Sequence, residues 1–116
     1  MQIKVKELVG ENAMTKADGE KVYSLIHEPL IEGQTVELDF EGVEVFASPF
    51  FNAGVGRLYA DLQSDALNAG LKINHLSSFG QRVLHRVLDN AKEYYLASPA
   101  HRQAIDRIVQ DTASAM

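Results

Sequence analysis

The residues best able to do chemistry gather in one stretch, Phe46-Ala47-Ser48-Pro49-Phe50-Phe51-Asn52-Ala53-Gly54-Val55-Gly56-Arg57. A serine followed by proline is a helix start. The hydroxyl can accept from an amide of the first turn, and the proline stands where its missing N–H costs nothing. The same free amides, with the positive end of the helix, would also stabilise a phosphate carried on Ser48. Spacing alone leaves cap and phosphoacceptor both open. Gly54 and Gly56 raise a second chemistry, a phosphate-cradling loop, which needs consecutive amides turned to the ligand and usually a lysine after the glycines. Arg57 follows instead, and no Gly-Lys-Ser/Thr is present. The two glycines, with Ala53 and Ala60, are therefore read as letting this helix approach the sheet or another subunit closely.

Other reactive side chains are scattered. His27, His75, His85 and His101 include no pair at the helical spacing that presents two ligands on one face, and none stands beside a serine in a nucleophile motif. They are read as surface or partly packed histidines. Asp39, Glu41 and Glu44 could offer oxygens to a hard cation, but alternation along a strand sets some of them apart, and such a site needs convergent oxygens. A solvated sheet edge is the simpler reading, with no metal and no cofactor. Arg82, His85 and Arg86 lie at helical spacing and read as a hydrated helix face. With no nucleophile paired to an oriented base, the chain is not expected to be an enzyme. A deep pocket joining Ser48 to His75 would reverse that.

The elements that must position these residues can be read from periodicity. Residues 2–9 alternate, with Ile3 and Val5 on one side and Lys4 and Lys6 on the other, as in a half-buried edge strand. Gly10-Glu11-Asn12 is a polar break. Over residues 15–31, Val22, Leu25, Ile26 and Leu30 recur at helical spacing, and Pro29 should kink or end the helix. Val36, Leu38 and Phe40 alternate with Glu37 and Asp39 as a strand, and residues 43–46 form a possible second one. Phe51, Val55, Leu58, Leu62 and Ala66 predict a helix over residues 49–69 capped by Gly70. Residues 71–76 have strand length and alternation. Phe79, Val83, Val87 and Ala91, widened by Leu84, Leu88 and Tyr95, give a helix over residues 78–96 whose Tyr94-Tyr95 end covers the core or receives the last helix. Ser98-Pro99 opens that final helix through Ile105, Ile108 and Val109, with residues 110–116 frayed.

This order predicts one α/β (α+β) domain over residues 1–116, a small mixed sheet of four to five strands with helices mainly on one face. The helix between residues 36–40 and 71–76 demands that those strands be parallel. Glu37, Asp39 and Glu44 point to a sheet face partly open to water. Eleven basic against sixteen acidic residues, a net charge of −5 and no Lys/Arg run remove the footprint of a nucleic-acid or anionic-membrane binder. The absence of cysteine excludes disulfides and thiolate chemistry. The charged, alternating N-terminus is neither signal peptide nor membrane span, and cytoplasm is the default location.

Val36-Glu37-Leu38-Asp39-Phe40-Glu41-Gly42-Val43-Glu44-Val45-Phe46-Ala47-Ser48-Pro49-Phe50-Phe51-Asn52, followed by Gly56-Arg57-Leu58, resembles the STAS-like domain of unknown function. That group is similar to the STAS domains of bacterial anti-sigma-factor antagonists. In the antagonists a strand ending in Leu-Asp leads, through a short apolar run, to an Asp-Ser-Ser/Thr-Gly turn at a helix start. A histidine-kinase-like ATPase phosphorylates the serine. The resemblance extends over residues 36–74 and puts Asp39 on the Leu-Asp aspartate and Ser48 on the phosphorylated serine. Ala47 replaces the antagonists' aspartate, which the STAS-like group commonly lacks, and Pro49-Phe50 replaces the hydroxyl residue and glycine. The resemblance implies a non-enzymatic signal-transduction module in the bacterial cytoplasm. Asp39, Ser48, Pro49, Phe50 and Asn52 would meet a protein partner, a histidine-kinase-like ATPase or anti-sigma-type kinase, and phosphorylation of Ser48 would break the contact. The alternative is a structural homo-oligomer, such as a homodimer, or an accessory subunit that pairs through the Ser48–Leu58 helix and buries Phe50 or Phe51 between chains.

Overall fold

The computed structural model describes residues 1–96. The helix expected after Ser98-Pro99, the frayed tail and His101 lie outside the described residues. The chain opens with strand β1 (Gln2–Lys4), turns into helix α1 (Val5–Val9), forms a two-residue strand β2 (Asn12–Ala13) and enters the long helix α2 (Lys16–Ile31). Strands β3 (Val36–Asp39) and β4 (Val45–Phe46) lead to helix α3 (Ser48–Gly54), a 3₁₀ turn over Gly56–Ala60 and helix α4 (Ser64–Gly70). Strand β5 (Leu71–Asn74) and helix α5 (Ser78–Leu96) complete it.

Chemistry of individual side chains explains where sequence periodicity and structure part. A strand over residues 2–9 would put Glu7 on the same face as Val5. The chain turns helical at Val5 instead, so that Val5 is fully buried and Leu8 and Val9, three and four residues on, pack partly against the core. Thr15 caps α2, its hydroxyl accepting from Asp18 N–H at 3.1 Å. Pro29 sits in the last turn of this helix, which ends two residues later. Val22, Ile26 and Leu30 are buried, whereas Leu25, counted in the same stripe, is exposed.

The helix expected over residues 49–69 is broken into three pieces. Gly54 and Gly56 flank the first break, at Val55, and both favour departure from helical geometry. After it the core-facing period resets: Leu67 is buried and Ala66 exposed. The break brings the backbone of Gly56 against α5, where an added Cβ would stand 3.4 Å from Val87 and 3.5 Å from Ala91. Gly54 meets Gly19 of α2. A Cβ on Gly19 would fall on the Phe50 carbonyl oxygen and 2.9 Å from the Ala53 Cβ. The close approach allowed by these glycines is thus to two other helices of the same chain rather than to the sheet.

Strand pairing is all parallel and falls into two sheets among the described residues. One has order β1-β3-β5, and the other pairs β2 with β4. This replaces the mixed sheet of four to five strands. The turn after Phe40, where Gly42 takes a φ of 83°, interrupts the line from β3 to β4, and α1 interrupts that from β1 to β2. The parallel pairing of β3 with β5 agrees with the sequence, in the register Leu38 to Ile73 and Asp39 to Asn74. Strand β5 stops at Asn74 rather than continuing to residue 76, because His75 leaves with a φ of 57°.

The core joins both sheets to the helices. Phe40, Phe50 and Phe51 are almost wholly buried, and Phe51 packs its ring at 5.3 to 6.0 Å from those of Phe40, Phe46 and Phe50. On α5, Leu84, Val87 and Ala91 face inward, but Phe79, expected in that stripe, is exposed. No helix among the described residues is long and apolar enough to cross a membrane.

Candidate functional site

Two places on the fold receive the residues singled out from the sequence. The first is the start of α3. Strand β4 delivers the chain there by pairing with β2, and the Ala47 N–H continues this contact to the Ala13 carbonyl at 3.1 Å. Ala47 has the extended backbone of a capping residue and no side chain that can cap. Ser48 is already inside the helix, so the expected serine cap does not form. Its hydroxyl makes no hydrogen bond among the described residues and is half-buried. Pro49 and Asn52 are exposed. Phe50 and Phe51 are turned inward, with 1% and 0% of their surfaces exposed. Phe50 therefore shapes the turn from beneath and offers no contact surface, and neither ring is left for a second copy of the chain.

The second place is the carboxyl end of the three-stranded sheet. Asp39 ends the central strand, in register with Lys4 on one side and Asn74 on the other. Its side chain is only 7% exposed, which the expectation of an outward, water-facing carboxylate did not anticipate. Asp39 Oδ1 accepts from the Glu41 N–H at 3.0 Å and from His75 Nδ1 at 2.8 Å. These bonds, the Glu41 amide first and the His75 imidazole next, hold the carboxyl below the usual range for aspartate, against the opposing effect of burial. In return the hydrogen bond and negative charge of Asp39, with Glu41 and Glu37 nearby, push the His75 imidazole above its ordinary value. One ligand-type atom each from Asp39, Glu41 and His75 lie within 4.8 Å of one another.

Asp39 is engaged by His75 and Glu41, while Ser48 stands at the start of α3 with Pro49 and Asn52. Glu44, grouped with Asp39 and Glu41 from the sequence, is exposed, and its amide donates to the Glu11 carbonyl at 2.9 Å. His75 takes its place. Sequence reasoning had both strands and their parallel relation but did not carry the register through: once Asp39 is opposite Asn74, the next residue is brought to the same strand end.

Of the remaining candidates, Arg57 and His27 have structural partners. The Arg57 guanidinium lies over the Tyr23 ring at 4.2 Å, which commits it to a cation–π contact rather than a phosphate. His27 Nε2 is 2.8 Å from Asp61 Oδ2, and its ring is tilted against Tyr23 at 4.9 Å. Arg82, His85 and Arg86 are exposed on α5.

A family model described as a STAS-like domain of unknown function matches residues 18–81, more than half of the chain. The matched span runs from the first turn of α2 to the first turn of α5 and contains Asp39, Ser48 and His75. No curated protein and no solved structure matches the chain.

Proposed function

Because the chain belongs to the STAS-like family of unknown function, we propose that it is a non-enzymatic regulatory module that binds a protein partner through the surface around Ser48 and is switched by phosphorylation of that serine. The observation that carries this reading is Ser48 itself, half-buried, its hydroxyl bonded to no described residue and flanked by exposed Pro49 and Asn52. A serine spent on capping the helix would have its oxygen engaged by a first-turn amide. A phosphate there would bring about −1.5 to −2 charges and three acceptor oxygens to a contact surface. In a chain of net charge −5 that change disfavours an acidic partner surface. The similarity of the family to anti-sigma-factor antagonists nominates a histidine-kinase-like ATPase as partner and kinase, in the bacterial cytoplasm.

The test is recovery of partners from the native cell on wild-type, Ser48→Ala and Ser48→Glu baits, with phosphosite mapping on the recovered wild-type chain. The expected result is an ATPase-domain protein held by wild type and Ser48→Ala but lost from Ser48→Glu, together with phosphate on Ser48. Equal recovery on all three folded baits, and no phosphate, would overturn the switch.

A further inference from the structure

We infer that the carboxyl end of the three-stranded sheet is a binding site for a divalent transition-metal ion of the zinc class, held by His75 Nδ1, Asp39 and Glu41. The inference is independent of Ser48. Its centre is a nitrogen and an oxygen already set against each other: His75 Nδ1 and Asp39 Oδ1 are 2.8 Å apart. A tetrahedral zinc ion with ligands at about 2.0–2.2 Å places neighbouring ligand atoms roughly 3.4 Å apart. Only a small opening of the pair is needed. The ion takes the position of the proton between them. The imidazolium gives that proton to solvent and becomes neutral, keeping its other hydrogen on Nε2; a ring that starts neutral moves its single hydrogen from Nδ1 to Nε2 through solvent.

A second observation points to a ligand. The Asp39 side chain is nine-tenths buried, yet its Oδ2 accepts no hydrogen bond from any described residue, although buried polar atoms are normally satisfied. A metal bound in place of the shared proton would meet this carboxylate. Glu41 is tied to the same point by its own amide, which donates to Asp39 Oδ1, and its exposed carboxylate lies within 4.8 Å of the other two ligand atoms, in reach of the same ion. Three protein ligands leave a fourth tetrahedral position to water or to an exogenous donor, the arrangement of an open zinc site.

The charges around the site favour a dication. Asp39 and Glu41 are joined by Glu37 on the same strand, while Lys4 is the cation in register with Asp39 on the neighbouring strand. Lys4 is exposed and can swing away from an arriving ion. An imidazole with two carboxylates suits a transition metal better than Mg²⁺ or Ca²⁺, which take oxygen ligands in larger number.

The test is calorimetric titration of the metal-stripped full chain with zinc chloride, followed in parallel by NMR of the histidine ring nitrogens. One equivalent should bind, with the His75 Nδ1 resonance moving. His75→Ala should lose binding, Glu41→Gln should weaken it by about tenfold or more, Lys4→Ala should tighten it, and His85→Ala should leave it unchanged. Asp39→Asn disturbs a buried group, so the test rests on the exposed positions, with each variant first shown to melt as one transition. Absence of binding by wild type at millimolar zinc would overturn the site, and so would equal binding by His75→Ala or Glu41→Gln, which would identify an adventitious surface histidine.

Discussion

His75 leaves β5 in the left-handed region and puts its Nδ1 on the Asp39 carboxylate. The two groups depend on pH in opposite ways. Asp39 is held below 3.8 in the folded chain, so its contribution to stability is present above that value and is lost as pH falls through the lowered folded one. His75 is held above 6.5, so its contribution is complete below 6.5 and is lost as pH rises through the raised folded value. In metal-free buffer, His75→Ala should therefore lower the melting temperature most between the ordinary values of the two groups, 3.8 and 6.5, the gap closing as pH rises through the raised His75 value. Melts of both proteins across that range check it, and a gap independent of pH would show that the pair does not carry the effect. Asp39 itself was legible in the sequence as an aspartate closing a strand. Its partner was not, because a contact across 36 positions is set by strand register and by one unusual φ, and neither leaves a local pattern.

Helix α2 and helix α3 meet where neither carries a side chain, at Gly19 and Gly54. Gly19→Ala would drive a methyl group into the backbone of α3, which cannot move without displacing Phe50 and Phe51. The expected cost is about 1–3 kcal/mol, the range for overpacked cores. Gly54→Ala, whose Cβ would stand 3.2 Å from the Gly19 carbonyl oxygen, should cost less. Urea unfolding of the two variants tests the order, and a neutral Gly19→Ala would show that the crossing can relax. The sequence marked Gly54 and Gly56 as places of close approach but passed over Gly19, which lies within an otherwise ordinary helical stripe. It also gave α5 its stated bounds, since a long uninterrupted apolar period needs no tertiary information. It missed the break between α3 and α4 because Phe51, Val55, Leu58 and Leu62 keep helical spacing across it, and only packing against α5 decides that Gly56 must turn.

Over the whole molecule, stability should be graded outward from β3, the strand paired on both sides. Hydrogen exchange is expected to be slowest at Glu37 in β3 and at Phe40 just after it, whose amides donate to the Met1 and Asn74 carbonyls, and faster across the two-residue β2–β4 pair. Equal protection of the two sheets would contradict this. Phe51→Ala, at the meeting point of four phenylalanine rings, should cost about 3–5 kcal/mol in denaturant unfolding. The class of fold was legible because strand and helix periods alternate along the chain. The division into two small sheets was not, since β2 and β4 are two residues each, too short for any period to show.

Every strand pair joins residues far apart in sequence: Gln2 meets Glu37, Asn12 meets Val45 and Val36 meets Leu71. No hairpin exists among the described residues to start a sheet locally. Closing such separations is entropically costly before any contact rewards it, and topologies of this kind fold slowly. During synthesis the first strand has no mate until α2 and β3 have emerged, and β3 keeps an open edge until β5 follows. The growing chain must hold its early segments as helix or coil while it waits, and Lys4 and Lys6 beside that waiting strand help guard it against pairing with a neighbour.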